Sequence, residues 1–200
     1  MLRVRPGVTL YFARHGQTQA NSEKRFSGYR DTPLTGLGLQ QARMIGDILK
    51  RELGDAAGYG FVCSPLARAV TTMQIVRRVM GLAPDGFATD KRLEEINLGD
   101  WDQLTDDEAR ALDPAYFDRR SADKWNMRVP GGENYAEVAA RVTDWLDGLG
   151  GNTVAISHGA TTRILRGLLA GLDAAAMSAL DEPQGVVFRV RGGEVVRLDP

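Results

Sequence analysis

A chain of 200 residues is long enough to bury a substantial core and fits one domain, residues 1–200. Hydrophobic residues at 43% and charged residues at 26% sit near globular averages, which argues against disorder, and no apolar run approaches the roughly 20 residues of a membrane-spanning helix. A formal charge of −1 excludes the global basic field that gathers nucleic acid or anionic lipid, and one cysteine excludes a disulfide framework and a multi-cysteine metal site. The expectation is a cytoplasmic protein with neither nucleic acid nor membrane as partner.

The first seven residues are short and basic, and the apolar run at 8–13 ends in Arg14-His15 instead of a cleavage site, so no signal peptide is expected. That run, rich in β-branched and aromatic residues, predicts a buried strand delivering an Arg14-His15-Gly16 turn. Residues 17–34 hold no steady period and carry Gly28, Asp31 and Pro33, the mark of a structured loop. Thr35 then reads as an N-cap, with Leu34 and Leu39 as a hydrophobic staple and Leu39, Ala42, Ile45, Ile48, Leu49 and Leu53 on one helical face.

Residues 59–63 predict a second strand, followed by Ser64-Pro65 and a helix carrying Ala69, Met73, Ile75, Val76 and Met80. From 104 to 129 the chain turns polar and aromatic, which predicts a small helical cap inserted over a site. After Pro130-Gly131-Gly132, the spacing of Tyr135, Val138, Val142, Trp145 and Leu149 predicts a core-facing helix. A third strand at 153–157 ends at His158-Gly159 and leads into a helix with Ile164, Leu165, Leu168 and Leu169. Residues 186–190 and 194–198 around Gly192-Gly193 predict a terminal hairpin. This alternation predicts an α/β fold, doubly wound, with a mostly parallel central sheet and helices on both faces.

Both histidines of the chain follow an apolar strand and precede a glycine. A lone histidine is more often structural, but ligands of open α/β sheets bind at the carboxyl ends of strands. Arg14-His15-Gly16, Ser64 to Arg68 and His158-Gly159 can therefore converge on one crevice, with two imidazoles and two arginines suited to an anion.

The segment Leu10-Tyr11-Phe12-Ala13-Arg14-His15-Gly16-Gln17-Thr18 with Asn21 resembles the signature of the histidine phosphatase superfamily, which includes cofactor-dependent phosphoglycerate mutase. Further matches come in the family's order along nearly the whole chain: Phe26-Ser27-Gly28 with Asp31, Ser64-Pro65-Leu66-Ala67-Arg68, Leu93-Glu94-Glu95 with Gly99, Pro130-Gly131-Gly132-Glu133 and Ser157-His158-Gly159. The resemblance implies attack by neutral His15 on phosphorus to give a phosphohistidine, with no metal and no other cofactor. It implies that Arg14 and Arg68 clamp phosphoryl oxygens with paired donors, and that His158, if protonated by its proximity to phosphate, adds a further donor. Glu95 is implied as general acid and then base, in preference to Glu94. Gln17, Thr18, Asn21 and Ser27 are implied as secondary phosphate or substrate donors, although each reads equally well as an ordinary loop hydrogen-bonding residue.

Gly99-Asp100-Trp101-Asp102 resembles the phosphatase branch, and Asn97-Leu98 stands where mutases carry His-Tyr, so hydrolysis of a small phosphorylated metabolite is the favoured activity. Gln103, where that branch often has glycine, and Arg119-Arg120-Ser121, which resembles a carboxylate-holding element of mutases, keep phosphoglycerate mutase-type transfer as the alternative; a charged surface helix accounts equally well for the arginines. A non-catalytic protein that binds a phosphorylated ligand is the alternative outside catalysis. Two rival chemistries start from Cys63, one residue too close to Arg68 for a Cys-x5-Arg phosphatase loop, and from the Asp100 and Asp102 pair, which superficially resembles a magnesium-dependent phosphatase motif.

Overall fold

A computed structural model describes residues 4–200; residues 1–3, part of the basic start considered above, lie outside the described residues. In chain order the elements are β1 (Thr9–Arg14), α1 (Gln19–Ser22), α2 (Gly36–Leu53), β2 (Gly60–Cys63), α3 (Ala67–Val79), β3 (Ala88–Thr89), α4 (Asp106–Leu112), α5 (Pro114–Ala122), α6 (Tyr135–Asp147), β4 (Thr153–Ser157), α7 (Gly159–Ala170), α8 (Ala174–Ala179), β5 (Val187–Arg191) and β6 (Glu194–Leu198). Single 3-10 turns occupy Lys91–Leu93 and Gly99–Trp101.

The six strands form one sheet in the order β3-β2-β4-β1-β5-β6. The first four run parallel, and β5 and β6 add the antiparallel hairpin at one edge. The fold is thus α/β with a mostly parallel mixed sheet. Because the central strands β1 and β4 are covered on both faces, their residues are almost uniformly buried and read as continuous apolar runs. One core, with Ile45, Ile48, Met73 and Val76, lies between the sheet and α2 and α3; the other, with Val138, Val142, Ile164 and Leu165, lies under α6 and α7.

Thr35 caps α2 through its hydroxyl, which accepts from Gly38 N at 3.0 Å. Leu39, expected on the buried face, is instead exposed, because the stripe that meets the sheet passes through Gly38, Ala42, Ile45 and Ile48. The stretch 17–34 is a loop with one helical turn, α1, set by a capping box between Thr18 and Asn21. Residues 104–129 form α4 and α5, anchored where Trp101 packs between Phe26 and Phe117 at ring-centroid distances of 6.0 and 5.2 Å. The parallel strands β1 and β4 both end at the same rim, and that rim holds the chemistry.

Candidate active site

His15 follows β1 directly and is buried, with its backbone pinned: His15 N donates to Ser157 O at 2.9 Å, and its carbonyl accepts from Gln184 Nε2 at 3.0 Å. Its ring Nδ1 lies 2.7 Å from Gly16 O. A carbonyl only accepts, so Nδ1 carries the proton and Nε2 keeps its lone pair, which receives Arg68 Nε at 3.3 Å. Burial, then the charges of Arg14 and Arg68, hold the imidazole well below its ordinary pKa, so it is neutral.

That Gly16 carbonyl is set by close backbone packing. A Cβ on Gly16 would collide with Gly38 O, and a Cβ on Gly38 would collide with Gln17 O, so the β1–α1 turn rests directly on the first turn of α2.

His158, at the N-cap of α7, faces His15 with ring centroids 5.0 Å apart, and neither of its ring nitrogens has a partner. Burial, then Arg68 and His15, push its pKa well down, so the ring is neutral in the ligand-free cavity; the protonation expected from sequence is tied to phosphate beside it. A neutral imidazole still offers one N–H donor.

Arg68 is buried with its terminal nitrogens fixed: Nη1 donates to Asp31 Oδ1 at 2.7 Å and Nη2 to Gly28 O at 2.5 Å. Its Nε is the group turned toward His15 Nε2. Arg14 lines the cavity, bonds Glu182 O through Nη1 at 2.8 Å and leaves a buried Nε without a partner.

Glu95 is buried in the cavity wall, with Oε1 accepting from Ile96 N at 2.9 Å and Oε2 from Ala160 N at 3.3 Å. Burial, then the charge of Glu182, raise its pKa and favour the protonated acid, against the pull of the Ile96 amide and the arginines. Glu94 is not among the cavity-lining residues; its carbonyl is held by Thr161 and Arg141.

The cavity measures about 290 Å³. Asn21 and Ser27 line it, and Ser27 Oγ is buried without a partner, whereas Asn21 Oδ1 is engaged by Thr18 N. Gln17 and Thr18 do not line it: Gln17 Oε1 accepts from the Thr35 hydroxyl at 2.8 Å, and the buried Thr18 caps α1. Both serve the loop instead.

The sequence reading did not place Lys124, Tyr135, Arg163 or Glu182 here, and all four line the cavity. Arg120 joins them, buried and 5.9 and 5.8 Å from the rings of Trp101 and Tyr135, while its neighbour Arg119 is exposed; a plain surface helix does not describe α5. Arg163 left no signal of its own, because α7 carries a second arginine, Arg166, and Arg163 lies beyond the first helical turn, where the macrodipole has faded.

The rival groups are occupied elsewhere. Burial pushes the Cys63 thiol up to about 12, and Cys63 is not among the cavity-lining residues. Asp102 accepts from the amides of Gly28, Tyr29 and Arg30, fixing the loop that holds Arg68. Among the described residues, no three His, Cys, Asp or Glu side chains group as a metal site would need, and no helix is long and apolar enough to cross a membrane.

Known proteins share this architecture. A 2,3-bisphosphoglycerate-dependent phosphoglycerate mutase of Methylobacterium radiotolerans is 34% identical over 202 residues, covering 94% of this chain and 92% of that protein. A putative alpha-ribazole-5'-P phosphatase of Escherichia coli superposes with a TM-score of 0.82 at 25% identity, over 97% of each chain. A mycobacterial glucosyl-3-phosphoglycerate phosphatase gives 0.75 at 29% identity, over 96% of this chain and 97% of that one. The sequence profile of the histidine phosphatase superfamily (branch 1) matches residues 10–194, and the chain belongs to that family.

Proposed function

We propose that the protein is a phosphatase that hydrolyses a small phosphomonoester through a phosphohistidine on His15. The observation that carries this reading is the neutral His15 imidazole, its proton tied to Gly16 O, in a cation-lined cavity with the buried carboxyl of Glu95.

In the first step the His15 Nε2 lone pair forms the N–P bond as the ester P–O bond breaks, and Glu95 gives its proton to the departing alkoxide. Arg68 Nε transfers its hydrogen bond from His15 Nε2 to a phosphoryl oxygen, and Arg14 and one N–H of His158 hold the others. In the second step Glu95, now a carboxylate, takes a proton from water as the water oxygen bonds phosphorus and the N–P bond breaks. Phosphate leaves, and His15 and Glu95 return to their starting forms.

Hydrolysis is favoured because Gly99-Asp100-Trp101-Asp102 resembles the phosphatase branch and because phosphatases are among the solved structures that superpose on the chain. A lone cysteine, buried at the end of β2, supports a cytosolic setting. Arg120 favours a second reading, mutase-type transfer: a buried guanidinium with an unpartnered Nε suits the carboxylate of a phosphoglycerate.

A panel of phosphate esters, scored for free phosphate against isomerised product and followed by quench-trapping, tests the proposal. Free phosphate together with acid-labile, base-stable phosphate on His15 is expected. Isomerised product would establish the mutase reading, phosphate trapped on Cys63 or Asp100 would overturn the mechanism, and an inert protein that still binds phosphate would overturn catalysis.

A further inference from the structure

Glu182 lines the cavity and, beyond raising the pKa of Glu95, has no role in the phosphoryl-transfer scheme. It lies in the connection between α8 and β5, and its carboxylate reaches two arginines. Oε1 stands 3.1 Å from Arg163 Nη2 and Oε2 3.5 Å from Arg14 Nη1, with side chains that are 26%, 15% and 16% exposed for Glu182, Arg163 and Arg14. The carboxylate rests against the bare Cα of Gly159, where any Cβ would collide with it, so the glycine that opens α7 leaves room for an acid. Arg14 and Arg163 each keep a buried Nε without a partner, so the ion pairs leave both guanidinium groups incompletely bonded. Arg163 is also held by the Tyr135 hydroxyl at 2.9 Å, so it retains a partner when the carboxylate moves.

We propose that Glu182 sets the affinity of the site for phosphate: it is a built-in anion that occupies Arg14 in the empty cavity and yields it to a phosphoryl dianion. The inference rests on the phosphate-binding reading of the cavity. A singly charged ligand would replace one carboxylate with another of equal charge and gain little from Arg14. A dianion brings twice the charge and more acceptor oxygens, and can also use the idle Arg14 Nε. Once phosphate is bound, Glu182 remains nearby on Arg163 and repels it, which hastens product release.

The test is calorimetric titration of inorganic phosphate, well above its second pKa, into wild type and the Glu182→Gln variant. Removing a negative charge within a few ångströms of the bound dianion should tighten phosphate binding about tenfold, with KM for the ester falling in parallel. The Glu182→Ala variant, which removes the same charge, should shift binding the same way and provides the reading if the glutamine variant fails to fold. Unchanged binding would overturn the proposal. Weaker binding with a raised KM would also overturn it, making Glu182 a brace that orients Arg14. A wild type that binds no phosphate would defeat the phosphate reading of the cavity itself, whereas equal affinities in wild type and variants would defeat only the role of Glu182.

Discussion

The floor of the cavity and its α5 wall differ in how far their polar groups are already engaged. At the floor, both ring nitrogens of His15, both carboxyl oxygens of Glu95 and, just behind them, both terminal nitrogens of Arg68 have protein partners, and the exceptions are Nε of Arg14 and the His158 ring. On the wall, Arg120 is buried with an unpartnered Nε and its guanidinium beside the rings of Trp101 and Tyr135, and burial followed by the charges of Arg163 and Arg120 lowers the pKa of Lys124. An engaged group is held in place before the ligand arrives, which suits chemistry common to many phosphate esters. A buried cation short of partners has a desolvation cost that only an anionic ligand offsets, which suits discrimination among those esters.

The contrast can be broken first at Glu95. Replacing it with Gln should lower kcat/KM, which reads the phosphorylation of His15, by about 10²–10⁴-fold for alkyl phosphates. Aryl phosphates, whose leaving groups depart without a proton, should stay within about tenfold, and the shared dephosphorylation step should slow for both. Steady-state kinetics on the two ester classes provides the check, and equal losses in kcat/KM would move the acid role off Glu95. A smaller effect is expected on the wall. Arg120→Met should raise KM about ten- to a hundredfold for esters carrying a second anionic group and leave a simple aryl phosphate unchanged, since a hydrogen bond to a charged group is worth about 1.5–3 kcal/mol. A uniform loss across the panel would make Arg120 a structural residue.

The smallest effect is on stability. Both histidines are held neutral in the fold, so below their ordinary value of 6.5 the unfolded chain takes up protons that the folded chain refuses. Their contribution to stability is therefore present above that pH and lost as pH falls through it, at up to about 1.4 kcal/mol per pH unit for each histidine. Glu95 acts with the opposite sign: its raised pKa favours the fold as pH falls toward the ordinary carboxyl value of 4.5. Denaturant unfolding of the ligand-free protein at a series of pH values should show a flatter slope for His158→Asn and a steeper one for Glu95→Gln. Parallel slopes in all three proteins would mean that these groups do not titrate as described.

The difference between floor and wall also explains what the sequence disclosed. Strands β1, β2 and β4 are buried runs ending at polar turns, so their apolar patterns announced both the strands and the floor residues His15, Arg14 and His158 at their ends. β3 has only two residues, both exposed, and α1 is one turn held by a side-chain cap, so neither leaves a periodic trace. Leu39 misled because an apolar residue at helical spacing also occurs one position outside the stripe that meets the sheet. Lys124 and Glu182 come from connections between elements, where position is set by tertiary packing and charge carries no period. Gln17 and Thr18 show the converse: they stand beside the nucleophile in sequence, yet the chain turns at Gly16 and directs them into the loop.

The proton of the nucleophile is positioned by main chain on main chain. Because Gly16 O, and not a carboxylate side chain, selects the His15 tautomer, changing another side chain around the ring does not remove that acceptor. The vulnerable coordinate is the clearance between two backbones. Gly38 lies on α2, outside the residues that line the cavity, yet one added methyl there would push the turn away and tilt the carbonyl that decides which nitrogen faces phosphorus.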